Sequence, residues 1–387
     1  MNDLRTARQA AAVLLDTGPP PGTSPYPLYR ALHEAGPLRL GDNLVVLSRY
    51  EDCRRALAHP ALAQRDTDWQ EQYAAPAPGV AQQVMVTSVM HASGARHRRL
   101  QQAFAPDFAV RACRARQSRL VQLVDGYVDA VAEAGGQVDA VPVLAEPLPV
   151  DVLGEILAIP PRDRPVLARW VAEFLPAIDR PGVATPAADR ATAQLHAYMQ
   201  QSAVGFPSLT EPQDLDELPL HLVFLLIAGT YTTANLIASG LATLAGHPDL
   251  WSRLAHDPDA YVTEILRTTP PVRVTSRYAR GAVDLGTVTV PDGSLVLIML
   301  EAGQHDALAF PHPDRFLPGR RPSPALLAFG AGPHYCLGAP LARQTATTLF
   351  TALATRFPHL SAAGPPTGSG SAVRGGYRRL PLRFETA

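Results

Sequence analysis

The sequence contains no lysine: all 34 basic residues among its 387 residues are arginine, and with 35 acidic residues the formal net charge is −1. Charged residues make up only 18% of the chain, below the usual share of about 25%. Nucleic acids and anionic membranes select proteins with a clear excess of positive charge. We therefore expect neither a nucleic-acid partner nor a polybasic membrane surface.

Cysteine is also scarce. Its three copies, Cys53, Cys113 and Cys336, are widely spaced and odd in number. This pattern is neither a disulfide framework nor a CxxC metal site. It predicts a protein of the reducing cytoplasm.

Long uninterrupted hydrophobic runs are missing as well. The apolar stretch at 10–15 is closed by Asp16, lacks the basic region of a signal peptide and is too short to span a bilayer. The longer stretch at 218–244 is interrupted by polar residues such as Thr230 and Asn235, which favours a buried helix. The sequence predicts no membrane anchor, and a poorly ordered tail over residues 1–20.

Apolar residues, at 47% of the chain, recur mostly at helical spacing. The predicted helices span 28–34, 50–57, 96–104, 115–133, 148–157, 164–175, 188–202, 218–245, 249–267 and 340–356. Short strands are predicted at 38–40, 44–47, 287–290, 295–299 and 380–384, and the polar stretch at 60–92 is predicted to be a long connection. Because no linker separates two cores, the pattern favours a single domain, mainly α with a small β portion.

The most informative segment is the glycine-rich run at 329–338, which contains Cys336 and precedes a predicted helix. Gly330, Gly332 and Gly338 allow tight bends and close approach to a flat partner. A cysteine just before a helix N-terminus is stabilised as a thiolate. A thiolate held in this way is suited to be the axial ligand of haem iron.

All ten residues of this run, from Phe329 to Gly338, fit one pattern, and the segment resembles the haem-thiolate signature of the cytochrome P450 superfamily. The resemblance extends from about Pro25 to the Leu380-Pro381 tail and is closest to the soluble bacterial type. It implies one cytochrome P450 domain over 1–387 with haem b between the Thr232 helix and the Cys336 loop. Cys336 would be the axial iron ligand, and Phe329, Gly330 and Gly338 would bind the cofactor as parts of the loop.

Glu264 and Arg267 stand three residues apart on a predicted helix and therefore share a face. Taken alone, such a pair is most often a solvated surface salt bridge. The family resemblance implies instead a buried pair, completed by a basic residue from the Pro- and Phe-rich segment at 310–316. Arg315 is the expected third member, and the triad would hold the cysteine loop.

The resemblance also implies cationic contacts to the haem propionates. Arg277, five residues after Val272, and His334, two residues before the cysteine, match two of them. His97 is the third candidate, but the family pattern fits there in two registers. One register places Gln101 where an arginine is usual, and the other places His97 at the arginine position and Ser93 at the histidine position.

The predicted helix at 218–245 carries a motif that resembles the oxygen-activation motif of the family. Ala228 and Gly229 are small, which would let the helix open and leave room for O₂. Thr232 matches the alcohol of the usual acid–alcohol pair, whereas Tyr231 stands where the acid is usual. A tyrosine relays protons less readily than a carboxylate near pH 7, so proton delivery here is expected to differ from the usual route.

The leading hypothesis is a cytoplasmic haem-thiolate monooxygenase, expected to be a monomer. It would oxidise a hydrophobic small molecule or peptide in bacterial natural-product biosynthesis, with electrons from a ferredoxin and ferredoxin reductase. A second hypothesis, motivated by Tyr231, is an oxidase that couples or crosslinks its substrate, or that uses peroxide. A third, of another class, is a catalytically silent haem protein that acts as a sensor or scaffold.

Overall fold

The computed structural model describes residues 2–16, 18, 24–65, 79–179, 183, 185–201, 217–321 and 323–386. The α-helices within these ranges are α1 (Asn2–Asp16), α2 (Tyr26–Ala35), α3 (Tyr50–Ala58), α4 (Gly79–Thr87), α5 (Gly94–Phe108), α6 (Val110–Ala115), α7 (Gln117–Glu133), α8 (Pro147–Ile156), α9 (Arg164–Asp179), α10 (Pro186–Gln201), α11 (Leu218–Ala245), α12 (Pro248–Trp251), α13 (Pro258–Thr268), α14 (Leu300–Gly303) and α15 (Ala339–Arg356). A π-helical turn, Val141–Ala145, precedes α8.

The strands are β1 (Leu38–Arg39), β2 (Leu44–Leu47), β3 (Leu62–Ala63), β4 (Gln137–Asp139), β5 (Val274–Ala279), β6 (Val283–Asp284), β7 (Thr289–Val290), β8 (Leu295–Met299), β9 (His359–Ala362), β10 (Thr367–Gly368), β11 (Tyr377–Arg379) and β12 (Pro381–Glu385). The chain forms two compact units. The sheet unit comprises residues 1–65, 263–336 and 368–375, and the helical unit comprises 66–262, 337–367 and 376–387. The mainly helical fold with a small β portion confirms the predicted class.

The sheet unit is built on a five-stranded sheet in the order β1-β2-β8-β5-β3. Its central pair, β2 and β8, is parallel, with Val46 opposite Leu297. Side chains alternate between faces along a strand, so Val45 and Val46 enter two different apolar clusters. Both faces of this pair are therefore buried, which explains why β2 and β8 read as continuous apolar runs.

Residues 2–16, which lie in the expected poorly ordered tail, form helix α1, so that expectation is wrong for this segment. Ala7, Ala10, Ala11 and Leu14 are buried in the same cluster as Val46. Their spacing places them on one helical face, so α1 covers one side of the sheet. The stripe is made mostly of alanine, which is a weak apolar signal in an alanine-rich chain.

The helical unit is organised around α11, which packs against α8, α9, α10 and α15. Among the described residues, α11 is the one helix long and apolar enough to cross a membrane, and most of it is buried in the fold. A small antiparallel sheet, β4-β12-β9, closes this unit. The stretch predicted as a connection at 60–92 contains β3 and α4, and the helix predicted at 249–267 is interrupted between α12 and α13.

Candidate functional site

The cysteine loop is folded by two short 3₁₀ turns, Leu327–Phe329 and Gly332–His334. The backbone N–H of Cys336 donates to the carbonyl of Phe329 at 2.9 Å and closes the loop. Gly330 has a φ of +73°, a left-handed conformation that favours glycine. At Gly332, also left-handed, a Cβ would lie 2.8 Å from the Cα of Ala58, so the loop can pass α3 only with glycine at this position.

Cys336 differs from the other two cysteines in its exposure. Cys53 and Cys113 are buried, and burial raises the pKa of each thiol. Cys336 is exposed, on the loop that the glycines shape. It is therefore the one cysteine whose sulfur an external group can approach, as the sequence predicts for an axial ligand.

The remaining loop candidates occupy distinct positions. The ring of Phe329 packs against that of Tyr335, with centroids 6.3 Å apart, and His334 is half-buried. Gly338 precedes α15 with a φ of −81°, a conformation open to any residue. Positive φ thus explains glycine at 330 and 332 but not at 338.

Glu264 and Arg267 are buried, at 3% and 1% exposure, as predicted. Arg267 binds both carboxylate oxygens, Nε to Oε2 at 2.9 Å and Nη2 to Oε1 at 2.8 Å. Its remaining donors reach the carbonyls of Gln304, Pro313 and Arg315. One guanidinium thus fastens α13 to the segment that leads into the cysteine loop.

The third basic member of this cluster is Arg320 rather than Arg315. Nη2 of Arg320 lies 3.1 Å from Oε1 of Glu264, and its side chain is 6% exposed. Arg315 is exposed and supplies only its carbonyl, to both Arg267 and Arg320. The chain turns between Arg315 and Arg320, and Leu317 donates its N–H to Glu264 at 2.9 Å, so the later arginine points back at the carboxylate.

Arg277, on β5, is a buried cation at 3% exposure. Nη1 donates to the carbonyl of Ser276 at 2.8 Å, and in the described ranges no carboxylate lies within ion-pair distance of it. Burial alone lowers the pKa of the guanidinium to about 10. A buried cation without a counter-ion is costly, so this position is suited to an anionic ligand such as a haem propionate.

Replacing Arg277 with methionine is expected to separate two properties. The fold should be at least as stable, because the substitution removes a buried charge that pairs with no carboxylate of the described residues. Haem should dissociate roughly tenfold or more faster, because a charge-assisted hydrogen bond of about 1.5–3 kcal/mol is lost. Thermal melting and haem transfer to apomyoglobin measure the two, with exposed Arg280→Met as the control. Native haem retention in the Arg277 variant would contradict the assignment.

His97 lies on α5 and is buried. Burial, followed by the nearby positive charge of Arg98, lowers the pKa of the imidazole. Its imidazole is therefore neutral near pH 7 and can donate one N–H to a carboxylate. Gln101 is half-buried one turn later, and Ser93 is the residue before α5, so the two registers stay alternative predictions.

The middle of α11 has one face that is not fully buried. The partly exposed residues there are Ala228, Gly229, Tyr231, Thr232 and Asn235, whereas Thr230 and Thr233 are buried. The spacing of these five places them on one side of the helix. The Thr232 hydroxyl donates to the Ala228 carbonyl at 2.7 Å, which leaves its oxygen able to accept a hydrogen bond.

Gly229 has a packing role that the sequence does not reveal. A Cβ at this position would lie 2.8 Å from Cδ1 of Leu153 on α8. A side chain at 229 would therefore have to displace the Leu153 side chain, so glycine here favours the close approach of α8, independently of any space for O₂.

Gly229→Ala is accordingly expected to destabilise the fold by about 1–3 kcal/mol, the usual cost of overpacking. The double variant Gly229→Ala with Leu153→Ala should recover part of that loss relative to the sum of the single changes. Chemical denaturation of the four proteins measures the coupling. Strict additivity would show that Leu153 is not what excludes a side chain at 229.

The candidate residues divide between the two units. The sheet unit carries Cys336, His334, Phe329, Gly330 and Arg277; the helical unit carries Ala228, Gly229, Tyr231, Thr232, His97 and Gly338. Haem iron takes one protein thiolate on one side, and its propionates take cationic or N–H donors. The donor set comprises an exposed thiol in a glycine-shaped loop and a buried guanidinium that no carboxylate pairs with in the part of the chain that the structure describes. The residues present fit haem.

The comparisons with known proteins all identify cytochromes P450. The cytochrome P450 family model matches residues 210–367. The cytochrome P450 monooxygenase PikC of Streptomyces venezuelae is 32% identical over 93% of this chain and 91% of its own length. The 6-deoxyerythronolide B hydroxylase of Saccharopolyspora erythraea is 29% identical over 93% of this chain and 96% of its own length. The crystal structure of CYP164A2 from Mycobacterium smegmatis superimposes with a TM-score of 0.84 at 31% identity, covering 97% of this chain and 100% of that one.

The chain belongs to the cytochrome P450 family. It is a cytochrome P450 monooxygenase whose cofactor is haem b. Its relatives include bacterial cytochrome P450 monooxygenases and hydroxylases. The resemblance found in the cysteine loop is thereby confirmed for the family, the enzyme class and the cofactor.

Proposed function

We propose that this monooxygenase oxidises a hydrophobic natural product, either a small molecule or a peptide, and receives its electrons from a ferredoxin and a ferredoxin reductase. We further propose that it works as a cytoplasmic monomer and that its chain is one catalytic domain. The observation that carries the proposal is the exposed Cys336 on a loop in which the left-handed conformation favours glycine at 330 and 332 and a close contact with Ala58 requires it at 332. The named activities of PikC and the hydroxylase support an oxygen-inserting reaction.

In this proposal Cys336 would bind the haem iron through its thiolate, and Arg277, His334 and His97 would hold the propionates. Haem supplies the binding and activation of O₂. The chain supplies the surroundings: buried Arg277 offers a cation, and neutral His97 offers an N–H donor. Phe329, whose carbonyl accepts the Cys336 N–H, and Gly330, with its left-handed backbone, shape the loop around the cysteine, and we propose that Gly338 contributes to cofactor binding at the start of α15.

The partly exposed face of α11 is where we place proton control. The Thr232 oxygen can accept a hydrogen bond and so hold a water or a substrate hydroxyl. Tyr231 replaces the usual acid beside it, and a phenol, with an ordinary pKa of about 10, releases its proton reluctantly near pH 7. The proton then comes from ordered water or from the substrate, held by Thr232.

Tyr231→Asp tests this role through coupling, the ratio of product formed to NAD(P)H consumed. If Tyr231 belongs to a specialised route, native coupling is high and the aspartate variant lowers it or changes the product. If the site is instead an ordinary monooxygenase site weakened by the loss of the acid, native coupling is low and the aspartate variant raises it. Tyr231→Phe is the control that keeps the ring and removes only the hydroxyl. Identical coupling and product in all three proteins would remove position 231 from the mechanism.

A second candidate function is favoured by the same residue. A peroxide-driven enzyme does not have to protonate bound O₂, and an oxidase that couples or crosslinks its substrate inserts no oxygen into it; Tyr231 in place of the usual acid motivates both. Turnover under ¹⁸O₂ separates the candidates: the proposed monooxygenase yields product carrying ¹⁸O, whereas a coupling enzyme yields product without it. No turnover with ferredoxin, reductase and NAD(P)H across a broad substrate panel would instead favour a silent haem protein.

A further inference from the structure

Helix α4 (Gly79–Thr87) is a short element whose position depends on its neighbours. It has nine residues, and an isolated helix of that length is not stable in water. Within the helical unit it packs against α9, α10 and α11. Ala81, Gln82, Val84 and Val86 are buried in these contacts. Losing one of the contacts that hold α4 in place would therefore change the surroundings of α11.

The N-terminus of α4 is capped by a residue from another helix. Asp189, in the first turn of α10, accepts the backbone N–H of Ala81 at 2.9 Å through Oδ1. Such an N–H ordinarily finds its acceptor on the residue that precedes the helix. A carboxylate at this place also interacts favourably with the positive end of the helix dipole. Asp189 thus joins α10 to α4 by a charge-assisted hydrogen bond.

Gly79 is shaped to admit this carboxylate. Its φ is +80°, and a Cβ there would lie 2.3 Å from Oδ2 of Asp189 and 2.4 Å from Oδ1. Any side chain at 79 would displace the carboxylate. The glycine and the aspartate are 110 positions apart in sequence, yet each explains the other.

A second polar contact ties α4 to α9. The buried Gln82 donates through Nε2 to the carbonyl of Ala177 at 3.2 Å. Asp189 and Gln82 therefore fasten one short helix to two long ones. The first contact carries charge and the second does not.

We propose that Asp189 is a positioning residue of the oxidation site: it fixes α4 against α11, and so sets how tightly the enzyme holds bulky ligands. The proposal rests on the proposed function, because α11 carries Thr232 and Tyr231. Loss of the cap should increase the dissociation rate of a ligand large enough to reach α4. A ligand that touches only the haem should be unaffected.

The first test needs no ligand. Hydrogen–deuterium exchange of α4 amides in the haem-bound protein is expected to be about fivefold or more faster in Asp189→Leu, the scale of a lost helix cap. Asp189→Asn, which keeps an acceptor but loses the charge, should lie between. Gln194→Leu, an exposed position on the same helix, is the matched control. Native exchange rates of α4 in Asp189→Leu would overturn the proposal. If that variant does not fold, Asp189→Asn and Gly79→Ala give the same readout.

The second test measures the grip on ligands by stopped-flow optical spectroscopy. Econazole, a bulky azole, should dissociate several-fold faster from Asp189→Leu than from the native protein, whereas imidazole should dissociate at an unchanged rate. Equal changes for both azoles, or none for either, would overturn the role in ligand binding. If the native protein lacked the Soret band of thiolate ligation, the proposed function would be contradicted. The hydrogen–deuterium exchange result would still test the role of Asp189, because it does not depend on the iron ligand.

Discussion

Replacing Glu264 with alanine is expected to lower the free energy of unfolding by about 3–5 kcal/mol, the usual result of removing one partner from a buried ion pair. The substitution leaves Arg267 and Arg320 without their shared carboxylate, and both guanidinium groups are buried. It also removes the acceptor of the Leu317 N–H. Because this cluster holds the segment leading to the cysteine loop, haem content should fall together with stability. Chemical denaturation and the ratio of Soret to protein absorbance measure the two.

Arg320 and Arg315 supply the matched controls for this cluster. Arg320→Ala should also be strongly destabilising, since its guanidinium lies against Glu264. Arg315→Ala should change stability by less than about 0.5 kcal/mol, because Arg315 is exposed and uses only its carbonyl, which alanine retains. A Glu264→Ala protein with native stability and haem content would show that the pair contributes no more than an exposed salt bridge. Equal losses of stability in Arg320→Ala and Arg315→Ala would support Arg315 as a member of the triad.

The sequence allowed prediction of features whose chemistry is local. The cysteine loop spans ten consecutive residues, and Glu264 and Arg267 are separated by one helical turn. The length of the apolar stretch likewise indicated α11 with its bounds, because its apolar residues persist around the whole helix. In each case the residues that indicate the feature are close together in the sequence.

Features that depend on the path of the chain escaped prediction. Arg320 reaches Glu264 only because the segment after Arg315 turns back. The close contact at position 229 comes from Leu153, which lies 76 positions earlier. Asp189 caps a helix more than a hundred residues away in sequence. Pairwise contacts of this kind leave no periodic signal in a single sequence.

Cys336→Ala is expected to remove the axial thiolate while leaving the fold largely intact. The loop is closed by the main-chain N–H of residue 336, which alanine retains, and its glycines are unaffected. Folded stability of the apoprotein should change by no more than about 0.5 kcal/mol, as at other exposed positions. Haem retention should fall sharply, because the ligand bond is lost. Cys113→Ala, which removes a buried thiol, is the control that should keep native haem binding.

The absorption spectrum of the reduced protein with carbon monoxide tests the central claim, that Cys336 binds the haem iron as a thiolate. The native protein and Cys113→Ala should both show the long-wavelength Soret band that thiolate ligation produces. Cys336→Ala, reconstituted with excess haem, should lack that band. If Cys336→Ala retained the band, or if the native protein never formed it, the assignment of Cys336 would be contradicted.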